Sequence, residues 1–144
     1  MTTNTTKTYD VAVIGGGVIG TSCVYHLVKK GFSVALIEKN NVARGTSSHC
    51  DAAALLVDKQ PGADAALGYG SIQRFLELQQ ELSYDFELHQ RGCVYVCDTE
   101  REFEVAAQYA KDMQADGYNV NALSPKELLE HEPYLAKDLA GGLF

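Results

Sequence analysis

Apolar and polar positions along the chain predict an alternation of strands and helices. Short apolar runs at 11–14 and 33–37 are typical of buried strands, and the segment between them has the pattern of an amphipathic helix. The polar, aperiodic residues 1–8 predict a flexible tail. The order strand, helix, strand indicates a βαβ unit of an α/β fold.

The remaining elements have recognisable boundary signals. Thr99 with Glu102 fits a capping box, Gly117 ends a helix, and Ser124 followed by Pro125 is typical of a helix N-terminus. The pattern predicts one or two helices at 67–89, a strand at 92–97, a helix at 99–116, a short strand at 118–123, a helix from 124 and a turn into a strand at 139–144. A parallel nucleotide-binding sheet usually has more strands, so we expect the chain to be the first part of a longer protein.

Three glycines follow the first predicted strand with a functional spacing. Gly15, Gly17 and Gly20 form G-x-G-x-x-G at the turn into the helix, and Glu38 ends the second strand 18 positions after Gly20. The glycines allow a sharp turn, close approach of a pyrophosphate and tight helix packing, while the carboxylate can accept ribose hydroxyls. The helix N-terminus favours an anion without Lys or Arg. The segment therefore predicts a dinucleotide site.

Composition narrows the class of protein further. The chain has 144 residues, 46% of them hydrophobic, and a net charge of −7, which disfavours nucleic acid as a partner. No apolar run is long enough for a signal peptide or a membrane span, so we expect a cytoplasmic protein. The four cysteines do not form C-x-x-C, and we expect no metal; Cys93 and Cys97 are interpreted as core residues of a strand.

The sequence resembles the D-amino-acid oxidase family of FAD-dependent oxidoreductases, within it the branch of glycine oxidase, sarcosine oxidase and amino-acid dehydrogenases. The resemblance rests on residues 9–38, on the Arg44-Gly45-Thr46-Ser47-Ser48 segment and on the stretch 123–133, and it covers nearly the whole chain. It implies a Rossmann-like FAD-binding βαβ unit followed by the start of an α+β substrate domain. The implied division is a tail at 1–8, the FAD-binding unit and flavin-contacting loop at 9–60, and the beginning of the substrate region at 61–144.

The family also implies a reaction and its partners. The full protein would oxidise the C–N bond of a small-molecule amino acid or secondary amine by hydride transfer to flavin. Its catalytic residues would lie beyond Phe144, so this chain would be inactive alone. Relatives that are subunits of membrane-linked dehydrogenases make a heteromeric complex or a peripheral membrane link a further expectation.

Carried over position by position, the resemblance assigns cofactor contacts to both halves of the unit. The turn and helix start would line the pyrophosphate, Glu38 would bind the ribose and Lys39 would flank the adenine. The loop would reach the pyrophosphate, ribityl chain and flavin. The residues so assigned are Gly15, Gly17, Val18, Ile19, Gly20, Glu38, Lys39, Arg44, Gly45, Thr46, Ser47, Ser48 and His49. Plain turn chemistry for the serines and a solvated surface charge for Arg44 are the alternatives.

His49 has three open interpretations. The segment Gly45 to His49 resembles the part of dimethylglycine and sarcosine dehydrogenases whose histidine carries FAD covalently, although Cys50 and Asp51 depart from that pattern. A noncovalent place near the flavin and an ordinary loop histidine are the others. For the chain as a whole, an NAD-binding Rossmann dehydrogenase and a noncatalytic nucleotide-binding subunit are the rival functions.

Overall fold

The computed structural model describes residues 7–144, so most of the tail expected at 1–8 lies outside the described residues. The chain divides into two compact units, one ending at Ala53 and the other spanning Ala54–Phe144. The boundary between the two units thus lies after Ala53, whereas the sequence analysis placed it after residue 60. The reason is that Leu56 and Val57 pack against the core of the second unit, and the Tyr109 hydroxyl donates to the carbonyls of Leu56 and Lys59.

The first unit is the βαβ arrangement that the sequence predicted. It consists of β1 (Val11–Ile14), α1 (Val18–Lys29) and β2 (Val34–Ile37), and the two strands pair in parallel with Val11 opposite Val34. At their amino ends the Ser33 hydroxyl and N–H donate to one Asp10 carboxylate oxygen at 2.6 and 2.8 Å. These bonds join the starts of the two strands, and because the strands are parallel their carboxyl ends lie at the same edge.

The second unit combines helices with a small antiparallel sheet. Its elements are α2 (Ala63–Glu81), β3 (Tyr95–Cys97), α3 (Glu100–Ala115), β4 (Ala122–Leu123), α4 (Pro125–His131) and β5 (Gly141–Leu143). The predicted terminal strand, β5, is the central one and pairs with β3 and β4. The mixed α/β architecture therefore agrees with the fold class predicted from the sequence.

Two glycines allow the helices of this unit to approach the central strand. A Cβ on Gly141 would meet the Phe103 ring at 2.7 Å, and a Cβ on Gly142 would overlap the Tyr95 carbonyl oxygen of the paired strand β3 and lie 3.1 Å from Leu128. The core includes Met113 and Cys97, which are 0% and 1% exposed, and burial raises the pKa of the Cys97 thiol. The core role expected for Cys97 is confirmed, whereas Cys93 is only half-buried.

Helix boundaries agree with the sequence where side chains cap them and differ where none do. Thr99 and Ser124 each form the reciprocal capping box that starts α3 and α4. In contrast, α2 ends at Glu81, short of the predicted 89, because Ser83 and Glu87 adopt φ of 49° and 58°, which a helix cannot continue. The strands predicted at 92–97 and 118–123 are three and two residues long. Among residues 7–144 no helix has both the length and the apolar character to cross a membrane.

Candidate nucleotide-binding site

The turn after β1 depends on Gly15. This residue has φ of 103°, a conformation that side chains rarely adopt, and its N–H donates to the Ile37 carbonyl at 2.8 Å. The turn is therefore tied to the end of β2 as it leaves β1. The chain can then enter α1 after only two further residues.

Gly20 sets how closely α1 approaches this turn. A Cβ at Gly20 would overlap the Gly15 carbonyl oxygen and lie 3.0 Å from the Gly15 carbonyl carbon. Both are backbone atoms that cannot rotate away. Only glycine at this position lets the first turn of α1 lie directly against the end of β1.

The N-terminus of α1 is capped by a residue distant in sequence. Gly17 is the N-cap and offers no side chain, but the Ser47 hydroxyl oxygen accepts a hydrogen bond from the Val18 N–H at 3.0 Å. A Cβ on Gly17 would lie 3.2 Å from the same Ser47 oxygen. Since the first amides of a helix lack intrahelical acceptors, this end keeps the partial positive charge that favours an anion.

Glu38 binds the backbone on both sides of the site. One carboxylate oxygen accepts from the Gly16 N–H at 2.7 Å, and the other accepts from the Asn40 N–H at 2.9 Å. The bonds from Gly16 and Asn40 hold the pKa of the Glu38 carboxyl below its usual range, so the group is ionised at neutral pH. A carboxylate oxygen can accept more than one hydrogen bond, so Glu38 can accept a hydroxyl in addition to these amides.

The segment after Glu38 folds back over the glycine turn. The Ala43 N–H donates to the Gly16 carbonyl at 2.8 Å, and a 3₁₀ turn follows at Thr46–Ser48. Arg44 is exposed and, with Asn40 and Asn41, lines an open cavity of about 440 Å³. Polar side chains of the segment that follows β2 therefore line this cavity.

His49 closes this segment. Its Nδ1 lies 2.8 Å from the Gly45 carbonyl oxygen and 3.1 Å from the Ser48 hydroxyl. A carbonyl can only accept, so the shorter contact assigns the proton to Nδ1 and leaves Nε2 unprotonated in the neutral ring. The ring is held by the loop, and it remains exposed.

The structure thus brings most of the residues assigned from the sequence to one edge of the βαβ unit. Glu38 accepts a hydrogen bond from Gly16, between Gly15 and Gly17. The Ser47 hydroxyl lies beside Gly17, and Gly20 lies against the backbone of Gly15. Val18 and Ile19 are exposed at the helix start, with 58% and 78% of their surface accessible, and Lys39 is exposed next to Glu38. Within residues 7–144 no group of three His, Cys, Asp or Glu side chains is placed to hold a metal.

Sequence reasoning missed three groups that complete this edge. Gly16 and Asn40 supply the two amides that Glu38 binds, and Ala43 supplies the amide that ties the loop to the turn. Gly16 lies within the triple glycine, which was the only local signal. The contacts of Asn40 and Ala43 depend on how the chain folds back and have no short-range pattern.

A parallel βαβ unit with this glycine turn and an acid at the end of β2 defines the class of dinucleotide-binding proteins. The family model described as FAD dependent oxidoreductase matches residues 10–144, which is nearly the whole chain. The chain therefore belongs to the FAD-dependent oxidoreductase family, and its cofactor is FAD. An NAD-binding dehydrogenase is no longer a rival.

Individual relatives refine this comparison. Glycine oxidase of Geobacillus kaustophilus is 33% identical over 96% of this chain, and its crystal structure superposes with a TM-score of 0.83 at 30% identity over 94% of this chain. Human dimethylglycine dehydrogenase is 30% identical over 92% of the chain, and glycerol 3-phosphate dehydrogenase of Caloramator mitchellensis is 30% identical over 94%. The chain spans 39%, 16% and 29% of the lengths of these three relatives.

Proposed function

We propose that this chain supplies the FAD-binding part of an oxidoreductase that oxidises the C–N bond of an amino acid or secondary amine. The observation that supports it most is the ionised Glu38 fixed beside the glycine turn, in a chain similar along its length to glycine oxidase. Two of the three relatives named above act on amines by their names, which favours this substrate class over an alcohol such as glycerol 3-phosphate.

The residues fit FAD in three respects. A Cβ on Gly15 would meet no atom within 4 Å, and the nearby N-terminus of α1 favours a pyrophosphate. The Glu38 carboxylate, which can accept several hydrogen bonds, would bind the ribose hydroxyls, and Lys39 would flank the adenine. The loop from Arg44 to His49 would then supply hydroxyls and N–H groups to the pyrophosphate, the ribityl chain and the flavin.

When bound, FAD would accept a hydride from the carbon atom next to the substrate nitrogen, which loses a proton, and the imine so formed would hydrolyse in water. The part of this chain would be to hold and orient the cofactor. We propose that the side chains that clamp and activate the substrate lie outside residues 1–144, and that these residues alone are inactive. The greater length of the relatives supports this.

The substrate class can be tested on the full-length protein. Anaerobic mixing with glycine, sarcosine, dimethylglycine, D-alanine, L-proline or glycerol 3-phosphate should bleach the flavin absorbance with at least one of the amines. A protein that is reduced by glycerol 3-phosphate alone, or by none of the amines, would contradict the proposal. A Glu38→Ala variant should lose FAD during purification, whereas Glu104→Ala, at an exposed position of α3, should retain it.

Covalent attachment of FAD to His49 is the second question about this site. The loop holds the ring through Nδ1 and the His49 side chain is exposed, an arrangement compatible with a covalent bond as well as with a contact to the flavin. Acid precipitation of the holoprotein separates the two. A yellow pellet from the wild type and a colourless pellet from His49→Ala would support a covalent bond between His49 and FAD. Yellow colour found wholly in the supernatant would exclude this bond.

A further inference from the structure

The structure links Gly17 and Val18, at the start of α1, to Ser47 in the loop that follows β2. Val18 donates its N–H to the Ser47 hydroxyl, and the nearest atom to a Cβ built on Gly17 is the same hydroxyl oxygen. Ser47 lies 29 residues after Val18, so this bond joins the start of α1 to the loop that follows β2. The side-chain caps of α3 and α4, in contrast, come from Thr99 and Ser124, which directly precede these helices.

Gly17 does not need to be glycine for conformational reasons. Its φ of −79° and ψ of −174° are extended backbone that any residue adopts. The requirement must therefore come from space, and at 3.2 Å the space is limited by Ser47. A methyl group there would press on the hydroxyl that caps Val18.

We propose that Ser47 is a positioning residue that caps α1 from the loop, and that admitting the Ser47 hydroxyl is, beside the approach of a pyrophosphate, a reason why Gly17 is glycine. The bond from Ala43 to Gly16 supports the loop a few residues earlier, so the loop is held against the glycine turn at two points. We expect this arrangement to prepare the loop for the cofactor, and only this last step rests on the proposed function.

The proposal is tested first on the FAD-free full-length protein by amide hydrogen exchange at Val18. Loss of one N-cap hydrogen bond should speed this exchange about fivefold in Ser47→Ala. Gly17→Ala should give a similar increase by displacing the hydroxyl, and the double variant should exchange no faster than Ser47→Ala alone. Ser47→Thr, which keeps a hydroxyl, should restore the protection.

The matched control is Ser124→Ala, which removes an N-cap serine of α4 in the other unit. It should leave exchange at Val18 unchanged. Equal exchange at Val18 in Ser47→Ala and the wild type, or fully additive effects of the two substitutions, would overturn the proposal. If Ser47→Ala does not fold, the proposal is decided by the other two variants, because it requires faster Val18 exchange in Gly17→Ala and wild-type exchange in Ser47→Thr.

A second measurement separates positioning from simple stability. Ser47→Ala apoprotein should take up FAD several-fold more slowly than the wild type, with the rate restored in Ser47→Thr and unaffected in Ser124→Ala. Unchanged uptake with faster Val18 exchange would reject the positioning role and leave a structural cap. A protein that binds no FAD at all would contradict the proposed function. The exchange measurement would still show whether Ser47 caps the N-terminus of α1.

Discussion

Replacing Gly20 with alanine tests how closely α1 must approach the end of β1. The new Cβ would overlap the Gly15 carbonyl oxygen and lie 3.0 Å from the carbonyl carbon, while Val13 at 3.6 Å would be an ordinary contact. The obstacle is therefore backbone. Either α1 or the turn has to shift, and the turn carries the hydrogen bond from Gly15 to Ile37.

The sign of the effect follows from two opposing contributions. Alanine inside a helix is favoured over glycine by up to about 1 kcal/mol. Overpacking a close contact costs about 1–3 kcal/mol, and the upper end applies here because no side-chain rotation can relieve it. We expect a net loss of about 2 kcal/mol in the free energy of unfolding. A shift of the α1 N-terminus should also weaken FAD binding by about tenfold or more, which corresponds to about 1.4 kcal/mol.

Gly70→Ala provides the matched control. Gly70 is inside α2, and a Cβ there would have no atom within 4 Å, so the same substitution should stabilise the protein by up to about 1 kcal/mol. Thermal unfolding of both full-length apoproteins and fluorescence titration with FAD give the two quantities. Gly20→Ala with wild-type stability and wild-type FAD affinity would refute the reasoning.

Three further outcomes follow from other contacts. Bonds from Ser33 lower the pKa of the Asp10 carboxyl, so the contribution of this carboxylate to stability is present above the ordinary carboxyl pKa and is lost as the pH falls through the lowered value. The Asp10→Asn variant should lack this pH-dependent loss of stability in acid unfolding. An acid-unfolding profile identical to that of the wild type would contradict the prediction. Gly142→Ala should destabilise the second unit by about 1–3 kcal/mol in thermal unfolding, because its Cβ would overlap the Tyr95 carbonyl oxygen of β3 and press on Leu128; unchanged melting would show that the strand can yield. Tyr109→Phe should cost about 1 kcal/mol and speed proteolysis before α2, since two backbone carbonyls lose their donor; equal cleavage rates would argue against it.

The sequence predicted the elements whose signals are local. The βαβ unit follows from apolar periodicity and the glycine spacing, and the starts of α3 and α4 follow from Thr99 and Ser124, whose side chains bond three residues ahead. Such interactions depend on neighbouring residues alone. They hold wherever the surrounding fold allows a helix.

What the sequence did not predict depends on contacts between distant segments. The end of α2 was misplaced because Ser83 begins a left-handed turn that no glycine or proline signals. The strand β4 has only two residues, since pairing with β5 rather than local propensity defines it. The cap of Val18 by Ser47 likewise has no pattern in the sequence, because the two residues meet only after β2 is in place.

Glu38 shows why contacts within the protein matter for interpreting variants of this site. An acid at the end of β2 is expected to bind a ribose, but here its two oxygens already hold the amides of Gly16 and Asn40. A Glu38→Gln variant can accept only one of these bonds through its carbonyl oxygen, so it would loosen the glycine turn before any nucleotide arrives. Loss of FAD in that variant would therefore combine a missing ribose contact with a disturbed turn. Amide exchange at Gly16 in the apoprotein separates the two, because only the disturbed turn changes it.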